Sequence, residues 1–142
     1  MNFAYPVQTT CTEDGRITVI FKDLPCSVTD IDQNKAFELA KQELEKVIEQ
    51  HMKSNTPLPV ASAPESGDQC VALNAQAAAK AALYVAFLEG KMSKAALARA
   101  MKVDNKEIRR MLSFETPTKL PRIVEALNIL GFDLTISLEP AA

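Results

Sequence analysis

At 142 residues, 47% hydrophobic and 24% charged, the chain has the composition of one ordinary globular domain or two small ones, not of a disordered or fibrous protein. No apolar run is long enough to span a membrane, and the opening Met1-Asn2-Phe3-Ala4-Tyr5-Pro6 lacks the charged-then-apolar order of a signal sequence, so no membrane partner and a cytoplasmic location are expected. The net charge of −2 conceals an asymmetry: residues 1–70 hold six Lys/Arg against eleven Asp/Glu, residues 71–142 hold ten against seven, and within 91–122 nine stand against three.

Phe3–Cys11 and Arg16–Phe21 are rich in β-branched and aromatic residues and flank Thr12-Glu13-Asp14-Gly15, whose Asp-Gly pair signals a hairpin. Pro6 has no N–H to give, which places the first strand at an edge or turns that position away from a partner. Beyond the turn-forming Asp23-Leu24-Pro25, a third short strand is expected over Cys26–Thr29. Asp32 suits the N-cap of a helix reaching about Met52, in which Ala36, Phe37, Ala40, Leu44, Val47 and Ile48 recur at helical spacing. That stripe should pack on the sheet, with Lys41, Glu45 and Glu49 in water. His51, the lone histidine, ends this helix and reads as an exposed or dipole-associated residue.

Residues 53–69 change character, with Pro57, Pro59, Pro64, Gly67 and several serines; a short edge strand over Leu58–Ala61 and another over Val71–Leu73 are expected. The division is a domain over 1–63, a linker with a short strand over 64–73, and a second domain over 74–142. Asn74–Glu89 is an Ala-rich helix closed by Gly90. The odd cysteine count, Cys11, Cys26 and Cys70, has no metal-type spacing and points to reduced thiols.

The chain then carries two short helices with a brief connection. Ser93 caps one running to about Met101; Asp104, followed by Glu107 three positions on, caps the next. This is the helix-turn-helix arrangement. Leu97, Met101, Val103, Ile108, Met111 and Leu112 supply its core. With Ile108 inward, Lys106, Arg109, Arg110 and Ser113 point outward with Asn105 at the flank, residue types that contact base edges and phosphates. Lys91, Ser93, Lys94 and Lys119 are placed to hold phosphates. The turn position where glycine is usual is Lys102, so a left-handed backbone there would carry strain. Thr118 is the expected cap of a further helix with Pro121 in its first turn, and Gly131 ends it. Phe132–Leu138 alternates apolar and polar residues and is expected to form a strand, paired with Val71–Leu73 or with a second copy of the chain.

Catalysis has little to stand on. Glu13, Asp14, Asp23, Asp30 and Asp32 sit in turns or a cap position, and one histidine supports no hydrolytic triad. No catalytic residue, metal or cofactor is assigned, and a binding protein is the better class.

Together these segments resemble the HicB antitoxin family of bacterial toxin–antitoxin systems, in its helix-turn-helix subgroup. At the front, Tyr5-Pro6-Val7, Asp14-Gly15 and Phe21-Lys22-Asp23-Leu24-Pro25 look like the family's opening strands, and Thr29, Asp32 and Ala36 fall where its first helix begins. At the back, Lys80-Ala81-Ala82-Leu83, Lys94-Ala95-Ala96-Leu97-Ala98-Arg99, Arg110-Met111-Leu112, Thr118-Lys119-Leu120 and 126–131 continue the likeness. Cys26, Ile31, Lys22 and Thr116 depart from it. The resemblance implies an α+β chain: a partial RNase H-like β-β-β-α-β domain that covers a small HicA-type RNase toxin, then a helix-turn-helix domain, with its terminal strand, that binds operator double-stranded DNA and represses its own operon. An acidic front suits a basic partner and a basic back suits DNA. Halves this small also suggest a homodimer or homotetramer. The alternative is a stand-alone transcription regulator whose front domain senses a ligand or oligomerises.

Overall fold

Asp14-Gly15 turns the chain as the residue types require. Gly15 adopts φ +82°, a left-handed conformation open to glycine at little cost, and the Thr12 and Arg16 backbones close the hairpin at 2.8 Å. The turn joins β1 (Ala4–Cys11) to β2 (Ile17–Phe21), and β3 (Ser27–Asp30) adds to β2. After α1 (Gln33–Lys53) the chain returns as β4 (Gln69–Ala72), antiparallel to β1, giving the order β3-β2-β1-β4. This computed structural model describes residues 1–138; the last four of the domain expected over 74–142 lie outside them.

β1 is an interior strand, not an edge. Pro6 is tolerated there because its carbonyl accepts from Lys22 N–H, just past the end of β2, and the missing N–H faces that same ladder end. One face of the sheet is apolar: Tyr5, Val7, Val19, Phe21 and Val71 are buried, with Val7 opposite Phe21 and Tyr5 opposite Val71. On α1 the stripe Ala36, Ala40, Leu44 and Ile48 is fully buried at four-residue spacing. These two surfaces lie in one compact unit, Met1–Gln50 with Pro59–Leu73, and each supplies the other's cover. Each fully buried Leu or Ile contributes about 1.5–3 kcal/mol. Asp32 sets the start of α1, its Oδ1 accepting from Asn34 N–H at 2.8 Å.

No strand forms over Leu58–Ala61. Pro59 within it removes a ladder donor, and side chains tie the segment down instead. Tyr5 Oη donates to Pro59 O at 2.7 Å, and Asp23 Oδ2 accepts from both Ser62 N–H and Oγ at 2.9 Å. Lys22 Nζ meets Asp68 Oδ2 at 2.7 Å.

Among the described residues, the second compact unit comprises 51–58 and 74–138. It holds α2 (Ala75–Glu89), α3 (Lys94–Met101), α4 (Asn105–Met111) and α5 (Leu120–Ile129). α2 packs on α5, and α3 packs on α4 and α5. Leu83, Leu97, Met101, Ile108, Met111, Ile123 and Leu127 form the core, with Val103, Leu112 and Leu134 packed against it half-buried. Tyr84 Oη donates to Thr56 O at 2.7 Å, which fixes the 51–58 segment to α2.

Two further expectations are corrected. Thr118 does not cap α5. Its side chain is buried and its N–H donates to Gln76 Oε1 at 2.6 Å, so Lys119 takes the cap position without a side-chain bond. Phe132–Leu138 forms no strand within the chain. A strand needs a neighbour for its N–H and C=O groups, and the segment does not join the four-stranded sheet at Val71–Leu73, the first of the two pairings expected of it.

Burial, and then the negative charge of Asp23, push the Tyr5 hydroxyl up to about 12. Because the folded value lies above the unfolded one, Tyr5 contributes stability below about pH 10 that is lost as pH rises toward 12. Denaturant midpoints for the wild type and Tyr5→Phe should therefore converge across that range; a constant gap would contradict the burial of this hydroxyl.

Candidate nucleic-acid interface

The interface begins with two caps. Ser93 Oγ accepts from Ala96 N–H at 3.1 Å and starts α3; Asp104 Oδ1 accepts from Glu107 N–H at 2.9 Å and starts α4. Between them lie only Lys102, Val103 and Asp104. Lys102 stands at φ 59°, ψ 42°, a left-handed residue that lets Val103 N–H return to Ala98 O at 3.0 Å. The turn thus has the left-handed geometry that glycine usually supplies, and a lysine supplies it here.

Burying Ile108 and Met111 decides what α4 shows to water. Asn105, Lys106, Arg109 and Arg110 are exposed on the other side, and Glu107 is half-buried. Arg110 Nη1 stands 3.9 Å from Glu107 Oε2, a long i,i+3 pair that leaves its other donors available. Lys91 is exposed ahead of α3, Lys94 opens α3, and Lys119 is exposed at the cap of α5. Ser113 differs from its expected place. α4 ends before it, and it lies half-buried in the following turn, its Oγ accepting from Glu115 N–H at 3.2 Å. The hydroxyl of Ser93 is likewise engaged, by its own helix. Of the nine assigned residues, six present exposed polar ends, Arg110 shares one of its donors with Glu107, and the two serines are partly used by the fold.

Sequence reasoning passed over two exposed cations, Arg99 in the last turn of α3 and Lys102 in the connection. The basic excess of 91–122 was the available signal. It also missed Lys80, whose side chain is buried among carbonyls in the last turn of α4 and just beyond it.

The acids of the first unit are used locally. Asp14 meets Thr12 Oγ1, whose hydrogen bond holds its carboxyl below the usual range, and pairs with Arg16 at 3.2 Å. Asp30 accepts from Asp32 N–H at 3.1 Å, Asp32 caps α1, and Asp23 holds Ser62. Among the described residues no group of three or more His, Cys, Asp or Glu is arranged to hold a metal ion. All three cysteines are free, Cys11 exposed and the others half-buried; burial, with help from Glu43, raises the Cys26 thiol. No helix is long and apolar enough to cross a membrane among the described residues.

Residues 4–82 match the model of a family described as HicB-like antitoxin of bacterial toxin–antitoxin systems. Over 136 residues the chain is 32% identical to Antitoxin HicB 2 of Photorhabdus laumondii, covering 95% of this chain and 96% of that one. Antitoxin HicB 1 of the same organism is 29% identical over 139 residues, covering 97% and 88%. Antitoxin HicB of Escherichia coli K12 is 29% identical over 133 residues, covering 93% and 96%.

Lys102 offers a direct check on the connection. A left-handed non-glycine residue costs about 1–2 kcal/mol, partly offset by the extra chain entropy glycine loses on folding. Lys102→Gly should raise unfolding free energy by about 0.5–1 kcal/mol in urea titration. A loss of stability would contradict the left-handed turn.

Proposed function

The chain belongs to the HicB-like antitoxin family of bacterial toxin–antitoxin systems, and from that premise we propose that it neutralises a HicA-type RNase toxin with its first unit and represses its own operon with its second. A HicB-like antitoxin is regulatory and not an enzyme.

The observation that carries the DNA half is the split face of α4. Ile108 and Met111 are fully buried while Asn105, Lys106, Arg109 and Arg110 stand in water. Arg and Asn read guanine and adenine edges in the major groove, and lysines hold phosphates. In this reading α3, the left-handed turn and α4 act as a helix-turn-helix, α4 enters the groove, and Lys91, Lys94 and Lys119 grip the backbone, with Ser93 and Ser113 at the margins. A homodimer or homotetramer would present two such units to two half-sites. The exposed Ile136 and Leu138, 79% and 99% accessible, are apolar surface that a second copy would cover.

For the toxin half, support comes from charge and from the β-β-β-α-β order expected of a partial RNase H-like domain. The first unit carries five Lys/Arg against eleven Asp/Glu, a balance of −6 that attracts a basic RNA-cutting partner.

Two measurements follow. In gel shifts on the operator, Arg109→Ala should cost about 1–3 kcal/mol and relax base preference, whereas Lys119→Ala should weaken all duplexes and flatten the salt dependence. Unchanged affinity in both variants would remove the recognition face from α4. For the toxin, co-expression with a short basic protein encoded beside this chain should yield a salt-sensitive complex and restore growth; continued toxicity with no complex would contradict the pairing.

A further inference from the structure

Lys80 sits in the middle of α2, fully buried at 0% exposure. Among the described residues no carboxylate pairs with it. Its ammonium group instead donates to Arg110 O at 2.9 Å, to Ser113 O at 2.6 Å, and to Thr116 O. A lysine has three N–H donors and no acceptor, so this set satisfies it completely. Burial pushes its proton affinity down from the ordinary lysine value, with Glu107 working in the other direction.

A charge withdrawn from water is costly, and a methionine would fill a similar volume without that cost. What only the ammonium group supplies is direction, since it draws three carbonyls to one point. Those carbonyls lie where α4 leaves off. The helix is seven residues long and ends at Leu112 without a left-handed glycine, and Arg110 O also accepts from Thr116 Oγ1 at 3.3 Å and Ser113 N–H at 3.1 Å. Asp104 therefore fixes the entrance of α4, and a cation from α2 fixes its exit, where a positive charge also suits the helix dipole.

We propose that Lys80 is a positioning residue for DNA recognition, holding the exit of α4 so that Arg109 and Arg110 meet a duplex at one angle. It touches no base or phosphate itself. Losing it removes the one donor group that ties the carbonyls of Arg110, Ser113 and Thr116 together and lets the second turn of α4 and the 113–116 bend shift, while the charge on the exposed face is unchanged. Sequence discrimination depends on side-chain placement within about an ångström, whereas attraction to phosphates tolerates more. Discrimination should therefore fall before general affinity does.

This role rests on α4 being the DNA-reading helix, so the test has one arm with DNA and one without. Full-length wild type, Lys80→Met and Lys80→Arg are titrated by fluorescence anisotropy against the operator and a scrambled duplex of equal length. Lys80→Met should lower the operator-to-scrambled affinity ratio by at least about tenfold, with scrambled binding and the salt slope near wild type. Lys80→Arg keeps the charge, but its flat guanidinium cannot gather three carbonyls at one point. It should also lose discrimination, and it carries the test if the methionine variant does not fold. In the DNA-free arm, hydrogen exchange of the folded variants should quicken at 109–116 and stay unchanged in α3. A wild-type ratio in whichever variants fold overturns the proposal, as does unchanged exchange at 109–116. A wild type that does not prefer its operator overturns the DNA reading instead, and the exchange arm still decides whether Lys80 holds this segment.

Discussion

Helices of eight and seven residues do not persist in water by themselves, because too few hydrogen bonds follow the costly first turn. α3 and α4 exist because Leu97, Met101, Ile108 and Met111 can be buried against α2 and α5. That one requirement fixes the rest of the second unit. With Ile108 and Met111 committed to the core, α4 has no freedom to hide Lys106, Arg109 or Arg110, and the basic face becomes a consequence of packing. It also limits the connection to three residues, which forces a left-handed backbone at Lys102 whatever side chain stands there.

The same logic separates the two surfaces chemically. In the first unit the apolar face of the sheet and the stripe of α1 satisfy each other, and the acids lie at turns, at caps and along α1, where Glu38 is exposed and Glu43, Glu45 and Glu49 are half-buried. Most have local duties: Asp14 shapes a hairpin, Asp32 starts a helix, and Asp23 and Asp68 tie down the irregular 59–68 segment. Their summed charge is left as a long-range field. A field of one sign on one unit and a basic patch on the other make a protein suited to two partners of opposite charge, one a cationic protein and one a polyanion.

Much of this was legible in the sequence because the deciding signals are local. Asp14-Gly15, the Asp32, Ser93 and Asp104 caps, and the four-residue spacing in α1 each dictate structure within a few positions. Lys102 was readable too, since a brief turn after a helix needs a left-handed residue. What sequence could not supply were partners far along the chain. Phe132–Leu138 has the alternation of a strand, but alternation says nothing of a neighbour. Thr118 has the chemistry of a cap, yet Gln76, forty-two residues earlier, takes its N–H. Lys80 reads as one polar residue in an Ala-rich helix; its three acceptors lie thirty or more residues away. The candidate interface was accordingly found by face and charge, while the group that braces it was not.

The central claim is that two distinct surfaces of one chain serve two partners. Amide chemical-shift mapping of the labelled full-length protein tests it most directly, with operator duplex added in one titration and the neighbouring basic protein in another. The account predicts that DNA perturbs amides within 91–122, above all in α4, and that the protein partner perturbs the sheet and α1. Perturbations from both partners falling on the same residues, or DNA shifts confined to the first unit, would contradict it.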